Sequence, residues 1–110
     1  MDRTMGFEIM NIAYEEFSGK HPAKLVVRGG MHLVPVSLCL DFVALCEKHS
    51  LHILGVEGFR FSGQAIMPCE KYIADYSTAS QSDAAIAAKG FFSAVIDPEV
   101  LFEFILSEEK

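Results

Sequence analysis

Apolar positions recur along the chain with two different periods, and the changes of period mark out the elements. From Phe7 to Ser18, Met10, Ala13, Tyr14 and Phe17 follow the i, i+3, i+4, i+7 spacing of one helix face, leaving Glu8, Asn11, Glu15 and Glu16 for water. Gly19 as the capping residue and Pro22 just beyond it end that helix. Lys24 to Arg28 is a short β-branched run closed by Gly29-Gly30, which predicts a strand and a sharp turn. Pro35 to His49 predicts a second helix, with Ser37 as its N-cap. Its positions Ser37, Asp41, Ala44 and Lys48 form one narrow stripe, and Leu38, Cys39, Leu40, Phe42, Val43, Leu45 and Cys46 are apolar. A helix so nearly hydrophobic all round is buried on more than one side, between the sheet and a neighbouring helix or in a subunit interface.

His52 to Val56 predicts the next strand. Phe59–Phe61 and Gln64–Met67 flank Ser62-Gly63, a hairpin signal whose register sets Phe61 opposite Gln64 and Phe59 opposite Ile66. Gly58 falls where the apolar parity changes, which predicts a bulge. Pro68 ends the second arm, and Glu70 to Asp75 reads as a helical turn or a loop. Ser80 opens a third helix as N-cap, with Asp83 in its first turn. Ala84, Ala85, Ala87 and Ala88 keep that helix thin enough to approach a sheet closely. After the Asp97-Pro98 stop, Val100 to Leu106 predicts an inner strand with both faces covered and Glu103 as its only charge. The expected fold class is α/β or α+β: a mixed sheet of four to five strands with about three helices, in a single layered domain over residues 1–110.

Composition supports one folded body. At 110 residues, 51% of them hydrophobic and 22% charged, the chain has core material that disordered segments lack. A net charge of −6 disfavours phosphate backbones, so no nucleic-acid partner is expected. The apolar stretch Met31 to Cys46 is interrupted by His32, Pro35, Ser37 and Asp41 and is too short to cross a bilayer, so no membrane partner is expected. Three cysteines, Cys39, Cys46 and Cys69, are too few for a disulfide framework and read as thiols of a reducing, cytoplasmic compartment.

Candidate chemistry is sparse. His21, His32, His49 and His52 lack zinc-ligand spacing, so neither a metal nor another cofactor is expected, and His49 suits a helix C-terminus as a cation. Gly29-Gly30 and Gly55-x-x-Gly58 fit turn and bulge roles, not phosphate loops. No catalytic residues are assigned. Cys69, beside Glu70 and Lys71, has no base placed next to it in sequence. Glu103 in an inner strand requires a partner, with Arg28 or Arg60 as the natural choices. The stretch Glu57 to Tyr76 is the most informative. Glu57, Glu70, Tyr72, Asp75 and Tyr76 combine charge that steers an encounter with aromatics that anchor it, as a surface for a basic protein requires. The alternative is a solvated rim with internal pairs such as Glu57 with Arg60.

Leu54-Gly-Val-Glu-Gly-Phe59, Pro68, Ile73-Ala-Asp-Tyr-Ser77 and Phe102-Glu-Phe-Ile-Leu106 resemble small immunity proteins of bacterial polymorphic-toxin and contact-dependent growth-inhibition systems. The resemblance implies a non-catalytic protein that binds and neutralises a cognate toxin domain in the producing cell. The rival expectations are a small ligand-binding protein or enzyme with a cleft near His52, Cys69 and Glu103, and a homodimer joined through the apolar Pro35–His49 helix.

Overall fold

The computed structural model describes residues 11–108 of the chain. Its elements are α1 (Ile12–Lys20), β1 (Val26–Arg28), β2 (Met31–Pro35), α2 (Cys39–Lys48), β3 (Leu51–Ser62), β4 (Ala65–Asp75), α3 (Gln81–Ala94) and β5 (Leu101–Glu108). A 3-10 turn, Val36–Leu38, joins β2 to α2. The strands form one sheet in the order β1-β2-β5-β3-β4. Five strands and three helices make an α+β domain, as the apolar pattern predicts. β2 and β3 run the same way, as a strand–helix–strand connection predicts, but β5 lies between them and opposes both. The hairpin β3–β4 is antiparallel too, so β4 and β5 are parallel with β3 between them. These are two interlocked split β-α-β units. Among the described residues every hydrogen-bonded pair is therefore antiparallel, so their sheet is not mixed.

All three helices cover one face. Ala13 and Phe17 of α1, Phe42, Val43 and Cys46 of α2, and Ala88 and Phe92 of α3 meet Val34, Ile53, Val56, Phe102 and Phe104 of the sheet in one core. The alanines of α3 let its backbone come close, and Ala84, Ala85 and Ala88 are buried. α2 packs against the sheet, α1 and α3, which buries Cys39, Phe42, Val43, Leu45 and Cys46 and leaves Leu40 45% exposed. Its predicted stripe of Ser37, Asp41, Ala44 and Lys48 is exposed. Asn11 caps α1, its side chain accepting from the Ala13 N–H at 2.8 Å. The Tyr14 hydroxyl accepts from the Phe104 N–H at 3.0 Å and donates to the Phe104 carbonyl at 3.3 Å. β2 pairs with β5 only at Leu101 and Phe102, so this buried side chain satisfies backbone groups the short strand does not reach. Burial pushes the Tyr14 phenol up.

The boundaries correct several expectations. The part of the first helix predicted over Phe7–Met10 lies outside the described residues. Gly19 is inside α1, and His21 is its cap residue. Met31–Pro35 is a strand, not the approach to a helix, and α2 begins at Cys39 with Leu38 as cap and no side-chain cap bond from Ser37. Ser80 does cap α3, accepting from the Asp83 N–H at 3.0 Å. The β3–β4 turn is Gly63-Gln64, with Gly63 at φ +63°, so Phe61 faces Ile66 and Phe59 faces Pro68. Moving the turn by one residue shifts the pairing by two and keeps every side chain on its predicted face. β4 continues through Pro68 to Asp75, because an edge strand tolerates a residue with no N–H to donate. A register shift does fall between Glu57 and Gly58, but the extra residues are in β4, and β3 itself stays regular through Gly58. Glu57 pairs with Ile73 and Gly58 with Cys69, so Glu70, Lys71 and Tyr72 are looped out of the pairing with β3.

The face opposite the helices is closed at one end by the sheet itself. Arg28, on the edge strand β1, donates from Nη1 to the Gln64 carbonyl in the β3–β4 turn at 3.1 Å. Its guanidinium also lies 4.8 Å from the centre of the Phe61 ring. Strands from opposite sides of the sheet can meet in this way only if it curls strongly. Inside the curl, Leu33, Phe59 and Leu101 are buried against Val26, Met31 and Ile66. The other end stays open, so β5 is covered on both faces only near Leu101, and Ile105 is 40% exposed.

Candidate interaction surface

The open end of this face is built on a grid fixed by strand register. One row is Glu103 on β5, Glu57 on β3 and Ile73 on β4; the next is Ile105, Gly55 and Asp75. Adjacent rows on one face are two residues apart along each strand. Gly55 supplies no side chain at the centre, and a Cβ there would lie 2.8 Å from the Ala74 carbonyl oxygen. The result is a shallow concavity of about 430 Å³ lined by Leu54, Gly55, Glu57, Ile73, Asp75 and Ile105 among others. Ile73 and Ile105 remain 47% and 40% exposed beside it.

The carboxylates differ in state. Asp75 accepts from the Ser77 N–H at 2.9 Å, and the hydrogen bonds from Ser77 hold its carboxyl below the usual range. Glu103 stands directly across from Glu57, and partial burial together with that neighbouring charge pushes its carboxyl up. The predicted ion pairs do not form. Residues three apart on a strand point to opposite faces, so Arg60 turns away from Glu57 and pairs with Asp97 on the helix side. Arg28 shares the open face with Glu103 but is committed to Gln64 and Phe61 at the curled end. Among the described residues no salt bridge to Glu57 or Glu103 is formed.

Of the five residues read from the sequence as partner-binding, Glu57 and Asp75 come together at the concavity. Glu70 is exposed on the looped-out segment. Tyr72 and Tyr76 go to the other side, where they pack against the helix-covered core, Tyr72 with its ring centre 6.1 Å from that of Phe102. The missed residues are Glu103, Ile73, Ile105 and Gly55. The visible signal was the lone charge of Glu103 in an apolar strand, but its neighbours follow from register alone.

The alternative cleft is not assembled. Cys69 lies opposite Gly58, which pairs with Phe102, whereas His52 pairs with Ser107. Five residues along β5 separate those positions by roughly 17 Å. His49 caps the C-terminus of α2 and meets the Glu16 carboxylate at 2.7 Å, with Lys48 at 2.6 Å from the same side chain. Cys39 and Cys46 are buried free thiols, and burial raises both, Cys46 to about 12. Among the described residues no group of three or more His, Cys, Asp or Glu could hold a metal, and no helix is long and apolar enough to cross a membrane.

What the fold and surface define is a small α+β domain with one acid-bearing sheet face on which no helix of the described residues lies. No family model matches the chain, and no match was found among curated proteins or solved structures.

Proposed function

We propose that this chain is a non-catalytic immunity-type protein that binds a cognate bacterial toxin domain and neutralises it by covering its working surface. The observation that carries the reading is the open sheet face, where exposed isoleucines stand beside the Glu57, Asp75 and Glu103 carboxylates. Apolar area supplies contact energy and carboxylates supply orientation and a fast encounter with a basic partner. The overall charge of −6 acts in the same sense at long range. Glu70, on the bulged stretch of β4, extends the acidic field, and Tyr72 and Tyr76 brace the strand from behind.

The test is co-expression with the toxin domain of the adjoining reading frame. Growth arrest by the toxin alone and recovery with this chain is the expected result, and arrest that persists with both proteins present overturns the reading. In stopped-flow mixing at low salt, Glu57→Lys with Glu70→Lys is expected to slow association by about tenfold, and the slowing is expected to shrink as salt is added.

A further inference from the structure

We infer that the concavity between Glu57 and Asp75 receives an arginine side chain of a protein partner, with the aliphatic stem on Ile73 and Ile105 and the guanidinium over Gly55. The inference deepens the proposed function and rests on that reading for the partner's identity, though not for the site's chemistry.

Three features of the surface favour arginine. Glu57 and Asp75 occupy diagonal positions of the grid, and the bare backbone of Gly55 lies beside Asp75 in the same row and two residues from Glu57 on β3. Diagonal neighbours on a sheet are about 7–8 Å apart, a gap that a planar group with donors on several edges can bridge and a point charge cannot. Ile73 and Ile105 then cover the methylene stem, whose burial adds affinity without further charge. Glu103 stands next to Glu57 with no cation of its own among the salt bridges of the described residues, so it adds to the local negative potential. The same arrangement disfavours a second copy of this chain. Two such faces related by a two-fold axis would set carboxylates against carboxylates, which is repulsive.

The experiment uses the full chain and three small probes: N-acetyl-arginine amide, N-acetyl-lysine amide and N-acetyl-citrulline amide, the last being arginine's neutral counterpart. Backbone amide shifts are followed by NMR at pH 7 and low salt. The expected result is a saturable shift at Gly55, Glu57, Ile73 and Ile105 with the arginine probe, several-fold weaker binding of the lysine probe, and no saturable shift with citrulline. Glu57→Gln is expected to weaken the arginine probe about fivefold while leaving the remaining spectrum in place. Equal shifts from citrulline, saturable shifts only at acids elsewhere such as Glu47 and Glu70, or concentration-dependent shifts at Ile73 and Ile105 without any probe overturn the inference; the last would make a second copy the occupant. Its failure is separable from that of the immunity reading. A silent probe with restored growth removes the arginine site alone, and a bound probe with persistent growth arrest removes the toxin partner alone.

Discussion

Glu103 sits where a sheet gains nothing from a carboxylate: on a central strand, partly buried, directly opposite another glutamate. Both burial and the Glu57 charge favour the protonated form, so its carboxyl is raised in the folded state relative to the unfolded chain. The sign of the linkage follows. A group raised on folding contributes stability that is fully present below its unfolded value, near 4.5, and lost as pH rises through the folded value. At neutral pH the ionised side chain therefore opposes folding. Glu103→Gln is expected to stabilise the protein at pH 7 by a few tenths to about 1 kcal/mol, the scale of cross-strand charge pairs. The gain should vanish at pH 3, and urea titrations at the two pH values check it. A gain of equal size at both would mean that amide packing, not charge, is responsible.

At the scale of elements, β4 shows how much local sequence conveys and where it stops. The faces of Phe59, Phe61 and Ile66 were readable because side-chain alternation is local, while the extra residues facing Gly58 belong to β4 and not to its own strand. The continuation through Pro68 was not, since proline is excluded from a central strand and allowed at an edge, and edge position is a property of the whole sheet. β2 escaped for a different reason. Met31 to Cys46 is apolar almost throughout, and a short apolar run has the same composition in a buried strand and a buried helix. The looped-out residues of β4 depend on Gly58, where a Cβ would lie 2.7 Å from the Tyr72 Cβ and 3.0 Å from Val100 Cγ1. Gly58→Ala is expected to destabilise by about 1–3 kcal/mol through overpacking and to displace the Tyr72 ring from Phe102. Chemical denaturation and the aromatic proton shifts of Tyr72 report the two effects separately.

At the scale of the molecule, the decisive contact joins residues 36 apart in sequence, Arg28 and Gln64, across a turn of the whole sheet. No periodicity signals it, so the burial of Leu33 without a helix above it was illegible, as was the division of that face into a closed end and an open one. The grid of Glu57, Asp75, Ile73 and Ile105 was half visible. Its acids stand out in the sequence, while its isoleucines look like core until the register is known. Arg28→Ala is expected to loosen the curl without global unfolding. Amide exchange at Val26, Val27 and Leu33 should speed up by about tenfold, while Phe102 and Phe104 in the helix-covered core keep their protection. Equal acceleration at both places would show that the curl and the main core open as one unit.

The two outer strands carry one more consequence. β1 offers only three residues to a would-be neighbour, and β4 presents a proline and a looped-out segment where an unbroken row of donors and acceptors would otherwise run. Among the described residues a foreign strand finds no continuous template on either border. Pairing of one copy with another edge to edge is disfavoured at both borders.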